Sequence, residues 1–149
     1  MDALDRKILS ALQKNARASL QEIGQAVGLS TSPCWERIRK MEQSGVIEGY
    51  TVRLNAQSLG WQDTVLVQVT LDSHSDNTLE KFGETLAAIP EVIEAYLVSG
   101  EYDYLLRVAV KDTRDYERLL RERLYKIKGI RHSKSSFVLR TLKKADLPL

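Results

Sequence analysis

Cysteine is nearly absent: Cys34 stands alone among 149 residues. That excludes an internal disulfide and a cysteine-rich metal site, and it suits a reducing, cytoplasmic setting. No run of 18 apolar residues occurs, so no stretch has the length of a membrane-spanning helix. The N-terminus lacks a basic-then-apolar leader. Internal repeats and low-complexity tracts are missing too. The two histidines, His74 and His132, stand apart from any Cys/Asp/His ligand set, so no metal site is expected. A large charge excess is also lacking. The net charge is +2, a weak electrostatic claim on nucleic acid.

What is present describes a folded protein. Apolar residues make up 43% and charged residues 28%, which is globular rather than disordered. Residues 1–54 carry 8 Lys/Arg against 6 Asp/Glu, and residues 55–149 carry 14 against 14. Positive character is therefore expected mostly in the first third. A monomer so mildly charged holds few phosphates, so DNA binding would need several copies.

In that first third, Leu4, Ile8 and Leu12 fall on one helical face. Ser19 and Glu22 have the spacing of a capping box, Leu20, Ile23 and Val27 form the next apolar stripe, and Gly28 ends it. The segment LSTSPCWERIRKMEQSG predicts a third helix, with Ser30 as N-cap and Pro33 in the first turn. Its buried face is Cys34, Ile38 and Met41. Its free face shows Ser32, Glu36, Arg39, Lys40 and Gln43, with Arg37 at the side. Trp35 lies beside the core stripe, where it could wedge against a neighbouring helix.

Three short helices with a tight turn before the third are the helix-turn-helix pattern, whose last helix enters the major groove of double-stranded DNA. The candidate DNA-binding residues are Ser30, Thr31, Ser32, Glu36, Arg37, Arg39 and Lys40. Arg37, Arg39 and Lys40 would supply salt-dependent affinity, and the polar side chains would meet base edges or phosphates. The same pattern also suits a three-helix domain with an ordinary solvated surface. After Gly45, VIEGYTVRLN alternates weakly, as a small wing leading into a linker over residues 51–62 would.

The remainder alternates strands and helices. DTVLVQVTL, residues 63–71, reads as a strand. A helix capped by Asp76 or Asn77 follows, with Leu79, Phe82 and Leu86 inward and Pro90 at its end. VIEAYLVSG and YLLRVAV are strands joined by a turn. A second helix, capped by Asp112 or Thr113, turns Tyr116, Leu119, Leu120 and Leu124 inward. IRHSKSSFVLRTL is the last strand. The order strand, helix, strand, strand, helix, strand is the ferredoxin-like unit. The fold class is α+β: a helix-turn-helix domain over 1–50, winged, then a ferredoxin-like domain over 63–149. The open face of the sheet is expected to carry many Val and Leu side chains and to be covered by a second copy.

The motifs LDRKILSALQKNAR, GLSTSPCWERIRKMEQSGVIEGY, VSGEYDYLLRV and SSFVLRTLK stand in order along essentially the whole chain. Together they resemble the leucine-responsive regulatory protein / asparagine-synthesis regulator family of transcriptional regulators. The resemblance implies a C-terminal domain that senses an amino acid or related metabolite, with no other cofactor. It also implies dimers through the sheets and commonly octamers of four dimers. The sensing turn maps onto Gly100, Glu101, Tyr102, Asp103 and Tyr104, with Ser133, Ser135 and Ser136 on the last strand as further effector-binding candidates. Asp103 is the candidate for the ligand's ammonium. Against this, Gly100 can simply shape a hairpin, Asp103 can bind local backbone, and the serines can be plain strand positions. Trp35 stands where many members carry leucine.

Two other functions fit the residues less well. An architectural DNA-coating protein would share the fold without an effector site. A small enzyme would need a nucleophile beside a base, a metal cluster or a phosphate-binding loop, and the sequence displays none of these.

Overall fold

A computed structural model describes residues 1–73, 76–145 and 147–148, with residues 76–78 described by their backbone alone. The chain divides into two compact units, Met1–Arg53 with Lys143–Leu149, and Leu54–Leu142. The last residues thus group with the first unit rather than with the ferredoxin-like one. There, the Gln13 side-chain amide donates to the carbonyl of Leu147 at 3.3 Å. The connector expected over 51–62 contains a short 3-10 turn, Gln57–Leu59.

The first unit is built on α1 (Ala3–Lys14), α2 (Leu20–Val27) and α3 (Thr31–Gln43). Asp2 and Asp5 form a capping box on α1, and Ser19 and Glu22 form the one expected on α2. Each satisfies amides that the first helical turn leaves without partners. The tight turn from α2 to α3 depends on Gly24. A β-carbon there would lie 2.6 Å from the Leu29 carbonyl oxygen, so any other residue would force the turn open. Ile8, Ile23, Val27, Cys34, Ile38 and Met41 form the core.

Two expectations change in this unit. Among the described residues of the unit no strand follows α3, so the wing is absent as a hairpin. Only Val46, Ile47 and Glu48 separate Gly45 from Gly49, too short an arm to pair. Ile47 instead packs on the helical core, while Val46, Tyr50, Val52 and Leu54 stay exposed. Trp35 is not wedged between helices. It is 46% exposed, because its position lies at the edge of the Cys34–Ile38–Met41 stripe.

The second unit comprises β1 (Asp63–Leu71), α4 (Asp76–Ala87), β2 (Val92–Leu97), β3 (Tyr104–Val110), α5 (Thr113–Glu122) and β4 (Ile130–Phe137). The sheet order is β2-β3-β1-β4, antiparallel throughout, as the ferredoxin-like arrangement requires. Asp112 caps α5 by accepting from the Asp115 amide. The backbone of Asp76 and Asn77 opens α4, while their side chains, expected to cap it, and the loop position of His74 lie outside what is described. Helix α5 ends earlier than the pattern suggests. A 3-10 turn, Leu124–Lys126, follows it and keeps Leu124 buried. Strand β4 stops at Phe137. The Val138 amide makes one more bond, to the Thr64 carbonyl, and β1 offers little beyond it. Leu139 is accordingly 99% exposed.

Alternation decides the faces. Val65, Val67, Val69 and Leu71 of β1 and Tyr104, Leu106, Val108 and Val110 of β3 are buried with Phe82, Leu86, Tyr116 and Leu119 of the helices. Each such side chain contributes about 1.5–3 kcal/mol when fully buried. The valines are thus on the helix side. The open face carries Leu66, Leu105, Ala109 and Tyr96 among Gln68, Thr70, Glu94, Arg107, His132, Lys134 and Ser136, as the pairing register places them. It is mixed rather than the apolar sheet expected. Arg107 grips Glu94 there with two bonds, at 2.6 and 2.8 Å.

Candidate functional sites

Helix α3 turns Cys34, Ile38 and Met41 into the core. At about 100° per residue, Ser32, Glu36 and Gln43 fall opposite that stripe, with Lys40 and Arg39 on either side of them. Ser30, Thr31, Ser32, Glu36, Arg39 and Lys40 are all exposed. The Ser30 hydroxyl makes no capping bond, so the helix itself does not use it. These six side chains form one continuous polar surface on α3 and the residue before it.

Arg37 is used otherwise. One of its guanidinium nitrogens donates to Asp2 at 2.6 Å and to Asp5 at 2.7 Å. Backbone amides of the capping box, and then this guanidinium, hold both carboxyls below the ordinary aspartate value. Arg37 therefore ties α3 to the start of α1, with its charge already met. Sequence offers no signal for this link, since the partners are more than thirty residues apart.

Arg39 lies over the Trp35 ring, 5.1 Å from its centroid. Their i,i+4 spacing is the one sequence signal for this pair, and it is easily passed over beside the core stripe. Trp35 and Arg39 border a cavity of about 410 Å³ with Leu12, Leu20, Ile23 and Tyr50. The Tyr50 hydroxyl donates to Glu42 at 2.8 Å, and burial together with that carboxylate pushes its pKa up to about 12.

In the second unit the Gly100–Asp103 turn sits at the end of β1. Gly100 has φ of 124°, a conformation that favours glycine, and among the described residues nothing lies within 4 Å of where its β-carbon would be. The Asp103 amide donates to the Val69 carbonyl at 2.9 Å, and its carboxylate accepts from the Leu71 amide at 2.7 Å. The Val98 amide closes the hairpin onto the Asp103 carbonyl at 2.9 Å. Asp103 is thus a backbone organiser. On the other side of β1, the Asp72 amide donates to Gly129 at 2.9 Å, so the start of β4 flanks the same end of the sheet.

The remaining candidates separate. Glu101 is exposed and Tyr102 half-buried in the turn. Tyr104 is 4% exposed, donates to the Leu79 carbonyl and packs on Phe82, so it belongs to the core rather than to a ligand surface. Ser133 pairs with Val69, in the same row as Tyr104. The Ser135 hydroxyl shares a hydrogen bond with Tyr116. Ser136 pairs with Leu66 and so lies on the opposite face from Ser133 and Ser135. One pocket does not gather the three serines.

Residues 1–42 match the AsnC-type helix-turn-helix domain, and residues 64–148 match the Lrp/AsnC ligand binding domain. The leucine-responsive regulatory protein of Escherichia coli (strain K12) is 38% identical over 146 residues, 98% of this chain and 89% of that protein. The crystal structure of an AsnC family transcriptional regulator from Agrobacterium tumefaciens superposes with a TM-score of 0.94 at 41% identity, covering 99% of this chain and 97% of the other. A transcriptional regulator from Neisseria meningitidis, solved as an L-Met complex, gives 0.93 at 30% identity over 99% and 96% of the two chains.

Proposed function

Because the chain belongs to the Lrp/AsnC family, and is thus a DNA-binding transcriptional regulator that responds to an amino acid or related metabolite, we propose that its effector is held at the Gly100–Asp103 turn. The turn that Asp103 braces on β1, with the start of β4 at the same end of the sheet, carries this assignment. Gly100, Glu101, Tyr102 and Asp103 then provide the ligand's contacts, with Ser133 nearest among the serines. The negative charge of Asp103 attracts the α-ammonium while its carboxylate goes on accepting from the Leu71 amide. The first compound to try is L-methionine, which the Neisseria regulator holds.

DNA is met by Ser30, Thr31, Ser32, Glu36, Arg39 and Lys40 of the first unit, with Arg37 as a brace. Dimers form through the open sheet faces, where Leu66, Leu105 and Tyr96 supply apolar contacts between Gln68 and the Arg107–Glu94 pair, and four dimers make an octamer. A ligand that favours one assembly or orientation over another changes the affinity for DNA by that difference. Residues 51–62 link the two functions. The role is regulatory rather than catalytic, and its place is the cytoplasm, with the DNA it binds.

Asp103→Asn separates the two tasks of the carboxylate. It keeps an oxygen for the Leu71 amide and removes the charge offered to an ammonium. DNA binding without effector should stay as in the parent, while the effector concentration for half-response rises at least tenfold in an anisotropy titration. An unaltered response would confine Asp103 to shaping the turn.

A further inference from the structure

The zero net charge of residues 55–149 conceals a division. Residues 63–103 hold nine Asp/Glu against one Lys, whereas residues 104–149 hold thirteen Lys/Arg against five Asp/Glu. The basic part runs free of acids from where α5 gives way to β4. From Arg123 to Lys134 there are five Lys/Arg and no acid, more cations than any acid-free stretch of residues 1–54 holds.

These cations are open to a partner. Arg123, Lys126, Lys128 and Arg131 are exposed, and among the described residues none of them is in an ion pair. Leu124 is buried and Ile127 and Ile130 pack on the core, which anchors the backbone between the cations. Tyr125 stands among them at 66% exposure. The arginines nearer the middle of α5 differ, since Arg118 bridges Asp115 and Glu91 and Arg121 bridges Glu117.

We propose that Arg123, Lys126, Lys128 and Arg131, around Tyr125, form a second surface for the phosphate backbone of duplex DNA, in addition to the helix-turn-helix. Two observations favour DNA over a second copy of the chain. The first unit is short of available cations on its recognition helix, where Arg37 is neutralised by Asp2 and Asp5 and only Arg39 and Lys40 remain. Of the acids of residues 63–103, Glu91 is turned to Arg118, Glu94 to Arg107 and Asp103 to Leu71, and the exposed Asp72, Glu80, Glu84 and Glu101 are divided among the end of β1, α4 and the Gly100–Asp103 turn rather than gathered in one run. Such a surface carries no sequence information. It adds affinity for any duplex and lengthens the path of DNA along the assembly.

The inference rests on the reading of the chain as a DNA-binding regulator, and its test separates the two. Full-length Lys126→Gln/Lys128→Gln/Arg131→Gln is compared with the parent and with a charge-matched control, Lys81→Gln/Lys111→Gln/Arg114→Gln. Affinity for the chain's own upstream DNA and for scrambled DNA is measured against salt. The slope of log K on log salt should become shallower by about 0.9 for each phosphate that is no longer neutralised. Both DNAs should weaken by the same factor, and the control should match the parent. Circular dichroism melting confirms that each variant is folded. An unchanged slope overturns the proposal, as does an equal change in the control. A changed sedimentation coefficient with unchanged slope would assign the flank to copies of the chain and overturn it too. A parent that binds neither DNA would instead defeat the regulatory reading.

Discussion

The two units hold their proposed functional groups in different ways. In the first, Ser32, Glu36, Arg39 and Lys40 project from one helix, held by a core of six buried side chains. In the second, the Gly100–Asp103 turn owes its shape to the backbone of β1, some thirty residues earlier, above a core of fourteen buried side chains. A surface on one helix depends on spacing within a few turns. A turn braced on a neighbouring strand depends on register across the whole sheet. The first is therefore altered one side chain at a time, while the second is disturbed most by whatever shifts a strand.

The largest effect is expected in the larger core. Leu106 is fully buried between sheet and helices, so Leu106→Ala should lower unfolding free energy by about 2–5 kcal/mol. Urea denaturation followed by circular dichroism measures it. A loss far below that range would mean that the sheet does not lean on this row.

The next test sets the units against each other. Arg39→Ala should weaken DNA binding by about 1–3 kcal/mol if it contacts a base edge, and leave the effector's half-response concentration in place. Asp103→Asn should do the reverse. Either variant moving both readouts by the same factor would erase the distinction between a reading helix and a sensing turn.

How far each unit is legible in the sequence follows from the same difference. Helix starts at Ser19 and Ser30, the buried faces, and the strand Asp63–Leu71 are open to reading because capping and periodicity are local. The wing is misread because alternation without room for a partner still looks like a strand. The open sheet face is misjudged because counting valines does not say which side they occupy. Among candidate site residues, Arg37 and Tyr104 change role for one reason. Their partners, Asp2 and Asp5 in one case and Leu79 and Phe82 in the other, are distant in sequence. The basic flank at Arg123–Arg131 stays hidden because a net charge over the whole second part averages it away.

A smaller effect sharpens the description of α3. Removing the ring beneath Arg39 with Trp35→Leu should cost about 0.5–1 kcal/mol of DNA affinity. Trp35→Phe should recover most of it. No loss with leucine would mean that Arg39 is oriented by the DNA alone.

The smallest is an acid effect confined to the first unit. The carboxyls of Asp2 and Asp5 lie below their ordinary values in the folded chain. Their stabilisation is therefore complete above the unfolded value of about 3.9, and disappears as pH falls through the lower folded values. Asp5→Asn should melt slightly lower at neutral pH and lose less than the parent as the solution is made strongly acid. Parallel acid limbs would show that the link from Arg37 to α1 contributes nothing to stability.

The central claim is that a turn in one unit governs the grip of a helix in the other. It is tested most directly by titrating the full chain onto its own upstream DNA, by fluorescence anisotropy, with each amino acid added in turn. Coupling of ordinary strength shifts affinity about 5- to 150-fold, so at least one compound should move the dissociation constant by that much. Scrambled DNA should bind more weakly throughout. Equal binding of both DNAs, unmoved by every amino acid, would contradict the account and describe a protein that coats DNA without sensing.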